Sequence, residues 1–274
     1  MIESGDPESG VADADVPIAG EPVVAVVAPV FGAGKAIAAF LLFLVAQCLG
    51  GIPAGLYIVV RTLTMSGGRP PTSANVQQVI NDHMGAVLLS VGLAEFLMLV
   101  ALVWLWRRPL LADETASGLG FHRVPAAQTL AWSALGLATM GSHLLVSMWV
   151  MPMPADTPLG PVATAATMGG WTRAAWAIFA LLIAPPAEEL MFRGLMYRGF
   201  ANSWGPSAAA IVVTVLFVAL HIPETFGYWP ATVTILALAV ATMTARVRTG
   251  ALWAPIAMHF VHNATLVGVV YAAA

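Results

Sequence analysis

Cysteine occurs once in 274 residues, at Cys48. One thiol excludes an intrachain disulfide and a cysteine-rich metal site, and within an apolar run it is expected to pack as a small apolar side chain of the first span. Lysine also occurs once, Lys35, beside ten arginines. With abundant Ala, Gly, Val and Pro, that usage points to a GC-rich bacterial genome. Charge is the scarcest commodity: 9% of residues are Asp, Glu, Lys or Arg, against about 25% in a soluble domain. With 59% hydrophobic residues and a mean hydropathy of +0.85, the chain is expected in a bilayer. No basic patch is large enough to make nucleic acid a partner. The net charge of −3 says little, because six of the fourteen acidic residues precede position 22. There is no G-x-S-x-G nucleophile turn and no H-E-x-x-H zinc helix.

Residues 1–34 are acidic, rich in Pro, Gly and Ala, and without apolar periodicity, which predicts a disordered tail. The segment has no positively charged start and so does not read as a signal peptide. A phosphate loop at "GAGK", residues 32–35, fails on Pro29 and Ala36, where the pattern needs glycine and Ser or Thr.

Crossing the hydrocarbon core takes about 20 apolar residues. Uncharged or nearly uncharged runs occur at 36–60, 84–106, 126–151, 174–198, 207–222, 229–245 and 249–274. The expectation is an all-α polytopic integral membrane protein with about seven to eight transmembrane helices around a polar intramembrane cavity. The eighth element would arise if Pro185 and Pro186 split the fourth run into two pieces. Basic residues favour the N-terminus and the even-numbered loops being cytoplasmic, with Lys35, Arg107, Arg108, Arg123, Arg198, Arg246 and Arg248 on that side. The chain divides into the tail (1–34), an N-terminal group of transmembrane helices (35–170) and a C-terminal membrane region (171–274).

The ionisable residues inside these runs are Glu95, His143, Glu188, Glu189, Arg193, His221, His259 and His262. Charged groups at membrane depth are costly and mark function. In "EELMFR" Glu189 and Arg193 are four apart and share a helix face, so they can pair. Glu188 is rotated by about 100° and points elsewhere. In "FVALH" Phe217 and His221 are four apart, and in "HFVHN" so are His259 and Asn263, with His262 on a neighbouring line. A poorly solvated carboxylate can serve as a base near neutral pH. One imidazole can help hold water, while a second imidazole and an amide can stabilise an oxyanion. The same residues offer an alternative: Glu188, His221 and His259 as ligands of Zn²⁺ with an open position for water. Each group also has a purely structural reading. The Glu pair would fix helix packing, His221 would be a satisfied interface histidine, and His259 and Asn263 would make interhelical hydrogen bonds. His143 reads as structural. Glu95 reads as either paired to a buried polar group or lining the cavity.

These three segments match, in order, the E-E-x-x-x-R, F-x-x-x-H and H-x-x-x-N motifs of the CAAX-protease and bacteriocin-processing family, and the chain resembles that Rce1-like family over residues 170–270. The resemblance implies an intramembrane endopeptidase in which Glu188 activates water with help from His221. Glu189 and Arg193 would form a structural pair, and His259 and Asn263 would donate to the oxyanion. Phe217 would line the cavity wall and His262 would support the site from behind. It implies either no cofactor or zinc, the metal-free route being favoured. The partners implied are the bilayer and a peptide or membrane-protein substrate such as a pheromone, bacteriocin or membrane-protein segment, in a multi-pass protein of the bacterial plasma membrane. The rival expectation is a non-catalytic scaffold or bacteriocin-immunity protein; a proton-coupled transporter would show inverted repeats, and the two halves show none.

Depth poses a difficulty. Glu188 follows Arg173 by 15 residues and His221 follows Pro206 by 15. On straight antiparallel helices starting at opposite surfaces, the two would lie roughly 14 Å apart across a core about 30 Å thick. A break, tilt or short helix is therefore expected near Pro185, Pro186 or Pro223.

Overall fold

The computed structural model describes residues 31–67, 69–106, 119–154 and 165–272, and among them there is no β-strand. Seven helices are long and apolar enough to cross a membrane: α1 (Ala33–Met65), α2 (Ser73–Leu105), α3 (Ala126–Val150), α4 (Gly170–Trp204), α5 (Pro206–Thr225), α6 (Trp229–Thr249) and α7 (Trp253–Ala272). Residues 1–30 of the expected tail lie outside the described residues, as do Arg107 and Arg108. Ala33 already begins α1, and Phe31 packs in the core.

Local chemistry sets the helix ends. Thr72 caps α2 through a reciprocal arrangement with Asn75, satisfying donors that the first turn leaves orphaned. Pro206 and Pro230 occupy the first turns of α5 and α6, where a missing N–H costs nothing. Gly250 ends α6 in the left-handed region at φ 67°, a conformation that favours glycine. Trp104, Trp149, Trp171, Trp204, Trp229 and Trp253 all sit at helix ends and are exposed, the placement of an interfacial aromatic belt. The middles of the helices expose leucine, isoleucine and valine instead, among them Leu41, Leu56, Leu130, Ile211, Val215 and Val240. So much apolar surface suits lipid and no aqueous setting. Cys48 lies within α1, the first span, on this outer face, and is exposed.

Those contacts are close. A side chain at Gly50 would sit 2.7 Å from the Val91 Cα, and one at Gly136 would lie 2.3 Å from the Met258 carbonyl oxygen. Close backbone approach is how helices gain packing energy in lipid, where no hydrophobic force drives them together. At the centre, α4 contributes Ala187, Met191, Phe192, Leu195, Met196 and Phe200 to a core that also takes residues from α1, α2, α5 and α6.

The expected break at Pro185 and Pro186 does not occur. α4 runs on as one helix, with π-helical turns at Phe179–Ile183 and Leu190–Met196 flanking the α-helical turn Ala184–Glu189. The wider turn lets the helix continue past two residues that lack an N–H, so the described residues hold seven candidate spans. The depth difficulty also resolves. α4, with 35 residues, is about 52 Å long and overruns the core. Arg173 is therefore no marker of the membrane surface. Counted from Gly205, the turn joining α4 to α5, Glu188 is 17 positions back and His221 is 16 forward, so the two are level.

Candidate active site

The turn Ala184–Glu189 presents its two carboxylates to different neighbours, as their rotation about the helix requires. Glu188 faces α5: its Oε2 lies 3.7 Å from His221 Nε2, and both side chains are partly accessible. His221 Nδ1 lies 2.8 Å from the Phe217 carbonyl. A carbonyl can only accept, so Nδ1 carries a proton, and Nε2 is the ring nitrogen that faces Glu188. The imidazole also stacks on the Phe217 ring at 4.5 Å and 28°, which fixes its plane. Glu188 Oε2 has no hydrogen-bond partner among the described residues. The carboxylate oxygen and the imidazole nitrogen thus face each other across a 3.7 Å gap, too long for a direct hydrogen bond.

Glu189 faces inward and is fully buried. Its Oε1 accepts from Arg193 Nη1 at 3.3 Å and from His259 Nδ1 at 2.9 Å. Arg193, equally buried, also donates through Nη2 to the Ala239 carbonyl at 3.1 Å and lies 4.3 Å above the Phe217 ring, a cation–π contact. Its own carbonyl accepts from Arg246 Nε at 2.9 Å. A buried charge is tolerable only when paired and hydrogen-bonded in this way. The network ties α4 to α5, α6 and α7; it joins Glu189 and Arg193, the expected pair, to His259 and Arg246.

His259 and Asn263 are one turn apart on α7 and both reach α4. With Nδ1 protonated towards Glu189, His259 is an oxyanion donor only as the imidazolium, through Nε2–H. Asn263 donates Nδ2 to the Ala180 carbonyl at 2.8 Å. The reason is local: across the π turn that carbonyl would be served by the N–H of residue 185, which is proline and has none. Asn263 closes the gap with one amide hydrogen and keeps a second. His262, one position before Asn263, turns away and meets Thr139 Oγ1 on α3 at 2.9 Å. Glu95 is buried on α2, hydrogen-bonded to Gln47 of α1 and within electrostatic reach of Glu188, the paired one of its two expected settings.

The structure therefore gathers Glu188, Glu189, Arg193, Phe217, His221, His259 and Asn263, and sets His262 behind them. The sequence reading missed the Ala180 carbonyl, Gln47 and Thr139. Pro185 signals the first, since a proline inside a helix always orphans a carbonyl. The other two carry no mark beyond being polar in apolar runs. Among the described residues, no group of three or more His, Cys, Asp or Glu side chains is arranged to hold a metal ion. Glu188 and His221 approach each other, while His259 Nδ1 is engaged by Glu189.

The described residues thus combine seven membrane-length helices with a carboxylate–imidazole pair and a buried Glu–Arg–His network. Comparison specifies it further: residues 169–265, which carry all three motifs, match the family described as type II CAAX prenyl endopeptidase Rce1-like. The match spans just over a third of the chain and bears out the resemblance seen in the motifs. At family level it implies a peptidase working on peptide substrates at a bilayer. No curated protein and no solved structure matches the chain.

Proposed function

We propose that the protein is an intramembrane endopeptidase that hydrolyses peptide bonds of membrane-associated substrates with a water activated by Glu188. The observation that carries this reading is the 3.7 Å approach of Glu188 Oε2 to a His221 Nε2 whose tautomer is locked by Phe217. Water donating to both acceptors has its oxygen lone pairs directed away from them, towards a substrate carbonyl. As the oxygen bonds to carbon, Glu188 takes one proton; as the C–N bond breaks, that proton passes to the leaving amine. His259 as imidazolium and the second amide hydrogen of Asn263 would stabilise the negative oxygen between those steps. Glu189 holds the imidazolium proton in place, and Arg193 balances the charge of Glu189. The chemistry needs no serine or cysteine nucleophile and no step that requires a metal.

The rival reading, a non-catalytic scaffold or immunity protein, has one observation in its favour: Glu189, Arg193, Asn263 and His262 are all occupied in interhelical bonds. Glu188 separates the two readings, because it takes no part in that network. Membrane-protein termini are compared by mass spectrometry in cells carrying wild type or Glu188→Gln at equal abundance. Termini that appear only with wild type establish proteolysis and identify the substrate; identical termini, with the biological effect retained, establish the scaffold.

A further inference from the structure

The first π turn of α4 strips one carbonyl of both its helical donors. Ala184 ends the turn, and its N–H bonds the Phe179 carbonyl, five positions back. That amide would have served Ala180 in α-helical spacing. The π spacing calls instead on residue 185, a buried proline with no N–H. Ala180 lies in an apolar cluster with Trp176 and Val267, and Leu266 and Val270 pack against it. A carbonyl in such surroundings at membrane depth has to find a donor. It finds Asn263 Nδ2 of α7 at 2.8 Å.

The consequence falls on Asn263. An asparagine amide turns over a broad range about its last torsion, and its two N–H groups keep a fixed angle to each other. Holding one hydrogen on Ala180 therefore sets where the other points. An oxyanion donor is effective when its direction is set before the reaction begins. We propose that Pro185 is a positioning residue for Asn263: by denying the Ala180 carbonyl a backbone donor, it draws the amide to α4 and fixes the hydrogen left for the oxyanion. This role rests on the endopeptidase reading. Interhelical adhesion would make the two residues matter for stability alone, whereas positioning makes Pro185 matter for turnover, and only through Asn263.

Pro185→Ala restores an N–H that reaches Ala180 in π spacing. Should the turn relax to α-helix, Ala184 would serve that carbonyl instead, so Asn263 is released in either case. Pro186→Ala is the control, because its N–H is six positions from Ala180 and serves other carbonyls. Alanine is the better helix former, so both variants are expected to fold. Pro185→Ser supplies the same N–H if the alanine variant does not accumulate.

The first measurement needs no activity. In full-length protein in detergent, Asn263→Ala should lower the unfolding midpoint by about 2–4 °C, as a stranded buried acceptor would. The same loss is expected on Pro186→Ala, and less than half of it on Pro185→Ala. Equal losses on all three backgrounds overturn the proposal. Turnover is then measured on a synthetic peptide spanning a bond that the wild type cuts in membranes. Asn263→Ala should lower kcat by about 10²–10³, as for a lost oxyanion donor. Pro185→Ala should lower it at least tenfold with KM unchanged, and the double variant should lose no more than Asn263→Ala alone. Full turnover in Pro185→Ala, or losses that multiply in the double variant, overturn the positioning role while the endopeptidase stands. A wild type that cuts no membrane protein refutes the endopeptidase reading and the positioning role with it.

Discussion

The α1–α2 pair is the more apolar in sequence, with mean hydropathy 2.1 and 2.5 against 1.2 to 2.0 in the α4–α7 group, and the two are held together by different means. α1 and α2 meet through small residues: Gly50 against Val91 and Ala94, with Ser90 donating to the Gly50 carbonyl at 2.7 Å. A further polar contact, Gln47 with Glu95, lies within electrostatic reach of Glu188. The α4–α7 group is instead organised around charge, with Glu189, Arg193, Arg246 and His259 buried and mutually bonded. In lipid, packing alone suffices to join two helices. Fixing a carboxylate and two imidazoles relative to one another requires directional bonds, so the charged region is where chemistry is possible.

This contrast can be broken from either side. The largest effect is expected at Glu188, which the network does not use: Glu188→Gln should lower the cleavage rate by about 10²–10⁴, the range for a lost general base, with thermal unfolding in detergent unchanged. A parallel loss of stability would place Glu188 in the scaffold instead. Next comes Arg193→Met, which strands Glu189 in the interior. Breaking a buried pair costs about 3–5 kcal/mol, read as a lowered unfolding midpoint, and activity should fall with it. On the packing side, Gly50→Ala puts a Cβ into the α2 backbone and should cost about 1–3 kcal/mol, typical of overpacking, with cleavage by the surviving folded protein intact. The smallest change is Ser90→Ala, about 0.6 kcal/mol, the average for a hydrogen bond between membrane helices; a loss several times larger would show that the α1–α2 pair also depends on polar bonds.

The Pro185–Pro186 pair illustrates where reading the chain succeeds and where it stops. A proline in a helix removes a donor, and the sequence says so. Whether the helix then breaks or widens depends on what else can serve the orphaned carbonyl. Asn263, 83 positions away from Ala180, does so, and no local pattern announces that pairing. His262 carries the same lesson. It sits within the motif "HFVHN", but its partner Thr139 belongs to a helix outside the matched family region.

By itself the sequence determined seven apolar spans, their helical character and the spacing that sets Glu189 with Arg193, Phe217 with His221 and His259 with Asn263. All of these follow from hydrophobic length and the 3.6-residue turn, which are local properties. Tertiary structure alone decided that Glu188 and His221 lie level, that His259 turns to Glu189, and that α4 widens where it could have broken. These outcomes depend on how far each helix overruns the bilayer and on which distant groups satisfy the polar atoms buried there, and neither is encoded within any single span.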